Sequence, residues 1–322
     1  MSLPSVVGEL TNFLIPASIF AIMALALNLQ WGHTGLFNAG VAAFWAIGAY
    51  TASIVMTAYS PKTPQYPGHI GGFSQNFAIA ALVAVLFAGL AGLLIAVPTL
   101  RLRADYFAIA TLALAEIIRL VLVNAQSFTA GSVGIIEIPR PFDWLTAGDP
   151  GYSDLSMAAL AVTVVLLLYI GLEYLSRSPW GRVLRGIRED EEATLALGKN
   201  VFSFRLQAFV IGCAVIGLGG AVYASFIRFV APDQFVPLTT FTIYVMVILG
   251  GSANNRGVIF GAFLFYTFDW VSVRLKDYLP DVIKEKVPPI RLMAIGVILV
   301  LLILYRPEGI FPERKRTFPR VV

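Results

Sequence analysis

SRSPWGRVLRGIREDEEATLALGKNVFSFR, residues 176–205, is a charged interval between two apolar stretches of membrane length. Six cations, Arg177, Arg182, Arg185, Arg188, Lys199 and Arg205, surround the acidic run Glu189, Asp190, Glu191 and Glu192. Short loops this rich in Lys and Arg stay in the cytoplasm. A plain turn between two spans needs no such loop, so the segment suits a grip by a cytosolic partner. Glu189 to Glu192 place anions in the first turn of a short helix, where the helix dipole favours them. Gly198 is positioned to end that helix with a left-handed residue, and Lys199 then lies at its negative end. Ala193, Ala196 and Leu197 share one face. The expectation is a stiff helix along the membrane surface with small residues open for docking; a capped connector is the bland alternative.

The flanks decide the fold class. The chain is 58% hydrophobic and 13% charged, with mean hydropathy +0.79. Soluble domains carry roughly 25% charged residues, so lipid must cover most of this surface. The formal net charge of +4 sits in a few loops, which points to membrane orientation and not to nucleic acid. Cys213 is the single cysteine, which excludes a disulfide framework or a cysteine metal cluster. MSLPSVVGEL has no cation before the first apolar run, so the first segment reads as a retained helix.

A span needs roughly 20 apolar residues at 1.5 Å rise. Spans are predicted near Leu10–Gln30, Leu36–Ala58, Phe77–Pro98, Asp105–Asn124, Ser156–Leu175, Leu206–Phe229, Phe241–Gly250, Val258–Val273 and Arg291–Tyr305. Phe241–Gly250 is short, which predicts a re-entrant or broken helix. Trp31–Gly48 holds Gly32, Gly35, Gly40 and Gly48 and is a second candidate for interruption. Non-helical backbone at membrane depth survives only inside protein or along a watery cavity. NAGVAAFWAIGAY and NRGVIFGAFLFY share an Asn-x-Gly-Val opening, compatible with paired repeats or with chance. The fold expected is an all-α integral membrane protein, a polytopic bundle of roughly 8–10 transmembrane or half-spanning helices, with room for an internal inverted repeat built on broken helices. It forms one permease domain over residues 1–322, since no loop exceeds about 30 residues, short of a second domain.

Orientation follows from the loops. Arg101 and Arg103 lie in a short turn, and the tail carries Arg306, Arg314, Lys315, Arg316 and Arg320 against Glu308 and Glu313. Both join the 177–205 loop on the cytoplasmic side. The loop at 125–155 has Arg140 against Glu137, Asp143, Asp149 and Asp154, and is expected outside. The N-terminus is then outside and the C-terminus cytoplasmic. The Arg274–Arg291 loop is the misfit: five cations against three acids, yet external by parity.

Glu116 and Arg119 are neighbours on one helical face within an apolar span. They pair with each other, or they belong to a polar path or a subunit seam. Asn28 and Asn38 either line a cavity or hydrogen-bond across helices, the second being favoured. His33 in a Gly-rich turn and His69 in an outer loop give no metal-binding spacing. Asn254-Asn255-Arg256-Gly257 reads as a turn without chemistry. Gly198-Lys199 is followed by Asn200 and lacks the first glycine of a phosphate loop, so ATP hydrolysis is expected on other chains.

Glu192-Ala193-Thr194-x-x-x-Gly198 resembles the EAA-x-x-x-G signature of bacterial ABC importer permeases, with Thr194 for the second Ala. LALNLQWGHTGLFNAGVAAFWAIGAYTA (25–52), LRLRADYFAIATLALAEIIRLVL (100–122), GRVLRGIREDEEATLALGKN (181–200), VILGGSANNRGVIFGAF (247–263) and YRPEGIF (305–311) resemble, in order, the blocks of the branched-chain amino acid ABC importer permease family. The second block makes the chain more similar to the LivM-type than the LivH-type subunit. Asn38 and Val41 stand where Ser and His are usual, a departure that bears on the substrate class.

The resemblance implies a permease subunit in a prokaryotic inner membrane that carries branched-chain or other small neutral amino acids. It implies a second homologous permease, two cytoplasmic ABC ATPase subunits with their ATP and Mg, an external substrate-binding protein and surrounding lipid as partners, with no cofactor on this chain. Arg188, Glu189, Asp190, Glu191, Glu192, Ala193 and Gly198 would couple to the ATPase. Urea or short amides are the alternative cargo. A gradient-driven transporter is the rival class, with Glu116 and Arg119 as its relay. Intramembrane catalysis has only Asp269 to offer.

Overall fold

Length and apolar continuity set the elements of this chain. The computed structural model describes residues 3–63, 66–71, 73–143, 150–275, 287–306 and 308–313. Helix α1 (Leu3–Leu27) runs into one π-helical turn, Asn28–Gly32, and α2 spans Val41–Met56. Then come α3 (Phe77–Thr99), α4 (Ala104–Asn124), the single turn α5 (Gln126–Thr129) and α6 (Pro150–Arg177). Two short helices follow, α7 (Pro179–Glu189) and α8 (Glu191–Ala196), before α9 (Val201–Ile227). A 3-10 turn at Pro232–Gln234 precedes α10 (Pro237–Gly250), and α11 (Asn255–Leu275) and α12 (Val287–Tyr305) complete the order. Among the described residues no strand is present, and seven helical stretches are long and apolar enough to cross a membrane.

The expected interruption within Trp31–Gly48 is present. Residues 33–40 are non-helical between the π turn and α2. Helix α10 has 14 residues, about 21 Å against a hydrocarbon core of about 30 Å. With the preceding 3-10 turn it forms a 19-residue stretch, Pro232–Gly250, one of the seven long and apolar enough to cross, which corrects the expectation that this segment is too short to span. Because α2 is apolar on every side it is a buried helix, packed between α3, α9 and α10. It crosses α9 at a backbone-to-backbone approach. A Cβ on Gly48 would lie 2.1 Å from the Gly217 carbonyl oxygen, so only glycine permits the crossing.

The loops gather at two ends. Residues 33–35, 188, 251–254 and 308–313 meet at the end that carries α7 and α8. At the opposite end, Tyr66 reaches the Gly134 carbonyl, Ile135 bridges to Val230, and Glu9 pairs with Arg274. Arg274 of the misfit loop thus sits at the end opposite the coupling loop, as parity requires. The rest of that loop lies mainly outside the described residues. The predicted 125–155 loop is shorter than expected, because α5 and the start of α6 are helical. Residues 144–149 lie outside the described residues. The two Asn-x-Gly-Val segments open α2 and α11, and both helices run away from the α7–α8 end, so this pair does not form the expected inverted repeat.

Candidate functional site: a coupling loop and the helix break beneath it

The charged interval folds into two helices with one corner. Ser178 caps α7 by accepting from the Gly181 N–H, and Pro179 occupies the first helical position. Gly181, Leu184 and Ile187 are buried at helical spacing, Gly181 against the Ser176 backbone and the other two in a cluster with Leu25, Leu29, Leu172 and Val201. That stripe lays α7 against the bundle and leaves Arg182, Arg185 and Arg188 along its other sides. The expected helix start at Glu189 is corrected here. Asp190 takes an extended conformation and accepts from the Ala193 N–H at 2.9 Å, so it is the cap of α8. Glu189 therefore ends α7, and only Glu191 and Glu192 lie in the first turn of α8. An aspartate at this corner satisfies a free N–H that a continuous helix would not have exposed.

Thr194 is buried, and its hydroxyl bonds back to the Asp190 carbonyl. Gly198 has φ +75°, the left-handed stop that was expected. Ala193, Ala196 and Leu197 are all exposed, Leu197 at 79%. The cap and the glycine fix the two ends of this short helix, and its apolar side is not covered by the described residues of this chain. Arg205 pairs with Glu191 at 2.8 Å and ties α8 to α9.

Arg188 reaches inward instead. Its guanidinium donates to the Gly32 carbonyl oxygen, at the end of the π turn, and to Glu313 at 2.6 Å. Glu313 belongs to a strap, residues 308–313, whose Ile310 and Phe311 N–H groups bond the carbonyls of Leu249 and Gly250 at the end of α10. One side chain thus joins the coupling loop, the break after α1 and the α10–α11 turn.

The break is satisfied from four helices. Asn28 donates to Asn255 at 2.9 Å and accepts from the Ala253 N–H at 2.7 Å. Asn255 in turn donates to Glu173, which also pairs with Arg177. Gln30 donates to the Phe209 carbonyl and accepts from Asn38. Tyr244 of α10 donates to the Asn38 carbonyl, and the N–H groups of Ala39 and Ala42 find Thr111 and Thr240. Asn28 and Asn38 therefore bond across helices, the reading favoured above. Asn255 is more than a turn residue, which its turn-forming neighbours had hidden.

A cavity of about 630 Å³ opens at this end, lined by His33, Glu173, Arg177, Arg185, Asn255 and Glu313. His33 is buried with neither ring nitrogen in hydrogen-bond geometry. Burial lowers its pKa from 6.5 to about 4; Glu313 opposes this, and Arg185 and Arg188 reinforce it. The imidazole is neutral here.

Glu116 and Arg119 do pair, through three hydrogen bonds of 2.6 to 3.1 Å. They stand apart from the α7–α8 end. Asp233 approaches Arg119 at 3.7 Å.

Seven helices of membrane length around a buried polar network, with one interruption bonded from its neighbours, make this a multi-pass membrane protein. The profile of the family described as branched-chain amino acid transport system / permease component matches residues 9–304, and the chain belongs to that family. It is similar to the high-affinity branched-chain amino acid transport system permease protein LivM of Escherichia coli (strain K12), at 31% identity over 314 residues, 91% of this chain and 68% of the relative. The guanosine ABC transporter permease protein NupQ of Bacillus subtilis (strain 168) is 25% identical over 321 residues, 92% of each chain. The LivH permease protein of the same kind of system in Salmonella typhimurium (strain LT2) is 22% identical over 308 residues, 93% of this chain and 96% of the relative. No solved structure matches significantly.

Proposed function

We propose that this chain is the LivM-like half of a paired permease that imports branched-chain or other small neutral amino acids, driven by separate ABC ATPase subunits. The α7–α8 end faces the cytoplasm and the N-terminus faces outward, in line with the Lys and Arg bias of the loops. An external binding protein delivers the cargo. ATP and Mg act on the ATPases, where the phosphate loop missing here must reside. The guanosine permease among the relatives marks the alternative: the same scaffold with another small cargo.

One observation carries the reading. The exposed Ala193–Ala196–Leu197 face of α8 is rigidly joined through α7 and Arg188 to the Gly32 carbonyl at the helix break. A push on α8 therefore reaches the gap in α1–α2 without an intervening flexible loop. Glu189–Glu192 orient the ATPase electrostatically and Ala193 permits close approach, while Arg188, expected among the docking residues, is turned inward and acts as the link to the break.

The test is Ala193→Trp and Gly198→Val in the reconstituted complex. Bulk at 193 blocks docking, and a β-branched residue at φ +75° strains the helix stop. Uptake is expected to fall at least tenfold, with cargo capture by the binding protein unchanged. Full ATP-driven uptake in both variants removes the lever role.

A further inference from the structure

The cavity of about 630 Å³ at the α7–α8 end adjoins the coupling route. It lies between the end of α6, the middle of α7, the start of α11 and the strap at 308–313, through Arg177, Arg185, Arg256 and Glu313. Helix length sets its level. Helix α6 has 28 residues, about 42 Å, and outruns a hydrocarbon core of about 30 Å. Helix α11 has 21 residues, about 31 Å, and matches that core. The first residue of α11, Asn255, bonds Glu173 one turn before α6 ends. The last turn of α6 therefore stands beyond the hydrocarbon boundary, among the headgroups. Tyr174, 79% exposed, sits at that boundary, where tyrosine is favoured. The leaflet is the inner one under the orientation proposed above; the site itself does not depend on it.

Three arginines and two carboxylates line the cavity, and the carboxylates are taken. Glu173 pairs with Arg177 and Glu313 with Arg188, each at 2.6 Å. Arg185 and Arg256 have no ion pair among the described residues. Arg185 reaches the Ser176 carbonyl at 3.4 Å, and Arg256 the Tyr169 hydroxyl at 2.8 Å. His33 supplies an independent observation. It lines the same cavity, is 3% exposed, and neither ring nitrogen has a partner. Buried polar groups are nearly always satisfied, so this imidazole awaits something the cavity holds. Two guanidinium groups without a carboxylate, beside an imidazole N–H, together call for an anion. The volume is that of roughly twenty waters at about 30 Å³ each, more than a bare ion fills and enough for a headgroup.

We propose that this cavity binds a phosphate-class anion, delivered as the phosphodiester headgroup of an anionic phospholipid. Arg185 and Arg256 take its oxygens, each guanidinium offering parallel N–H donors, and the neutral His33 donates its one N–H. Basic pockets between helices at the inner leaflet suit such headgroups. Bound there, the anion ties α7 to the first turn of α11 beside the Arg188 link. It stiffens the joint that carries a push from α8 to the helix break. Free phosphate offers the same oxygens, and the test separates the two sources.

The test reconstitutes the complete complex in phosphatidylcholine vesicles with and without phosphatidylglycerol, and counts the lipid retained after extraction by native mass spectrometry. A parallel arm titrates the complex in neutral detergent with inorganic phosphate. Wild type is expected to retain phosphatidylglycerol in preference to phosphatidylcholine. Arg185→Gln and Arg256→Gln should each weaken retention about tenfold, the weight of one charge-assisted bond. Arg182→Gln removes the same charge from α7 outside the cavity and should leave retention unchanged. His33→Leu should weaken it about fivefold; if that variant fails to fold, the two arginine variants, on side chains open to solvent, carry the test. Equal losses in Arg182→Gln and Arg185→Gln mean diffuse surface attraction and overturn the site. So does wild type that prefers neither phosphatidylglycerol nor phosphate. So does Arg185→Gln that loses the ATPase subunits with lipid retention unchanged, since the cavity is then a subunit interface. Saturation by inorganic phosphate without lipid preference upholds the anion chemistry and assigns its source to free phosphate.

Discussion

The Arg188–Glu313 link can be weighed directly. The pair is 2.6 Å long, and the two side chains are 23% and 26% exposed. Exposed ion pairs contribute about 0–1 kcal/mol, and breaking buried ones costs about 3–5 kcal/mol. This pair lies between, so its coupling energy should be about 1–2 kcal/mol. Arg188→Gln also forfeits the bond to the Gly32 carbonyl, and should cost about 2–3 kcal/mol in total. Glu313→Gln leaves Arg188 with Gly32 and with Glu189 at 3.8 Å, and should cost about 1–2 kcal/mol. Reversible SDS titration of both singles and the double yields the cycle. Uptake per ATP hydrolysed should fall further for Arg188→Gln than for Glu313→Gln, because only the first detaches α7 from the helix break. Singles that add within about 0.5 kcal/mol refute the link. Wild-type coupling in Arg188→Gln refutes its mechanical part even if the stability term survives.

Other perturbations separate fold from function. Gly48→Ala drives a methyl group to 2.1 Å from the Gly217 carbonyl and should cost at least about 3 kcal/mol, whereas Gly171→Ala has open space and should be neutral or stabilising by up to about 1 kcal/mol; the same SDS titration checks both. His33 is held neutral, with its pKa lowered from 6.5 to about 4. Its contribution is therefore complete above pH 6.5 and is lost as pH falls toward 4, where the unfolded chain binds the extra proton. Stability should drop by up to about 3 kcal/mol across that window, and His33→Gln should flatten the profile. Cysteine at Leu197 should resist an impermeant thiol reagent on intact cells, and cysteine at Tyr59 should react; both native side chains are exposed, so the reverse pattern ends the orientation.

What was legible in residues 176–205 was local. The charge run between two apolar stretches and the glycine stop act within a few residues of themselves, and helix length in lipid follows from a count; the Asp190 cap was not legible, because the acidic run offers four neighbouring candidates for one helix start. Trp31–Gly48 announced its break just as locally, through an excess of glycines in a short interval. The pairing of Glu116 with Arg119 needs only three positions along one helix. Arg188 and Glu313 are 125 positions apart, and Asn28 and Asn255 are 227 apart. No periodicity encodes such meetings; they depend on how close α2 comes to α9 at Gly48, and on how close α10 comes to α11 at Gly250 and Gly257. Hydropathy and charge determine which segments enter the bilayer and at what length, because lipid judges each segment alone. Tertiary packing decides which buried donors find partners, because that depends on distances between segments that the membrane leaves unspecified.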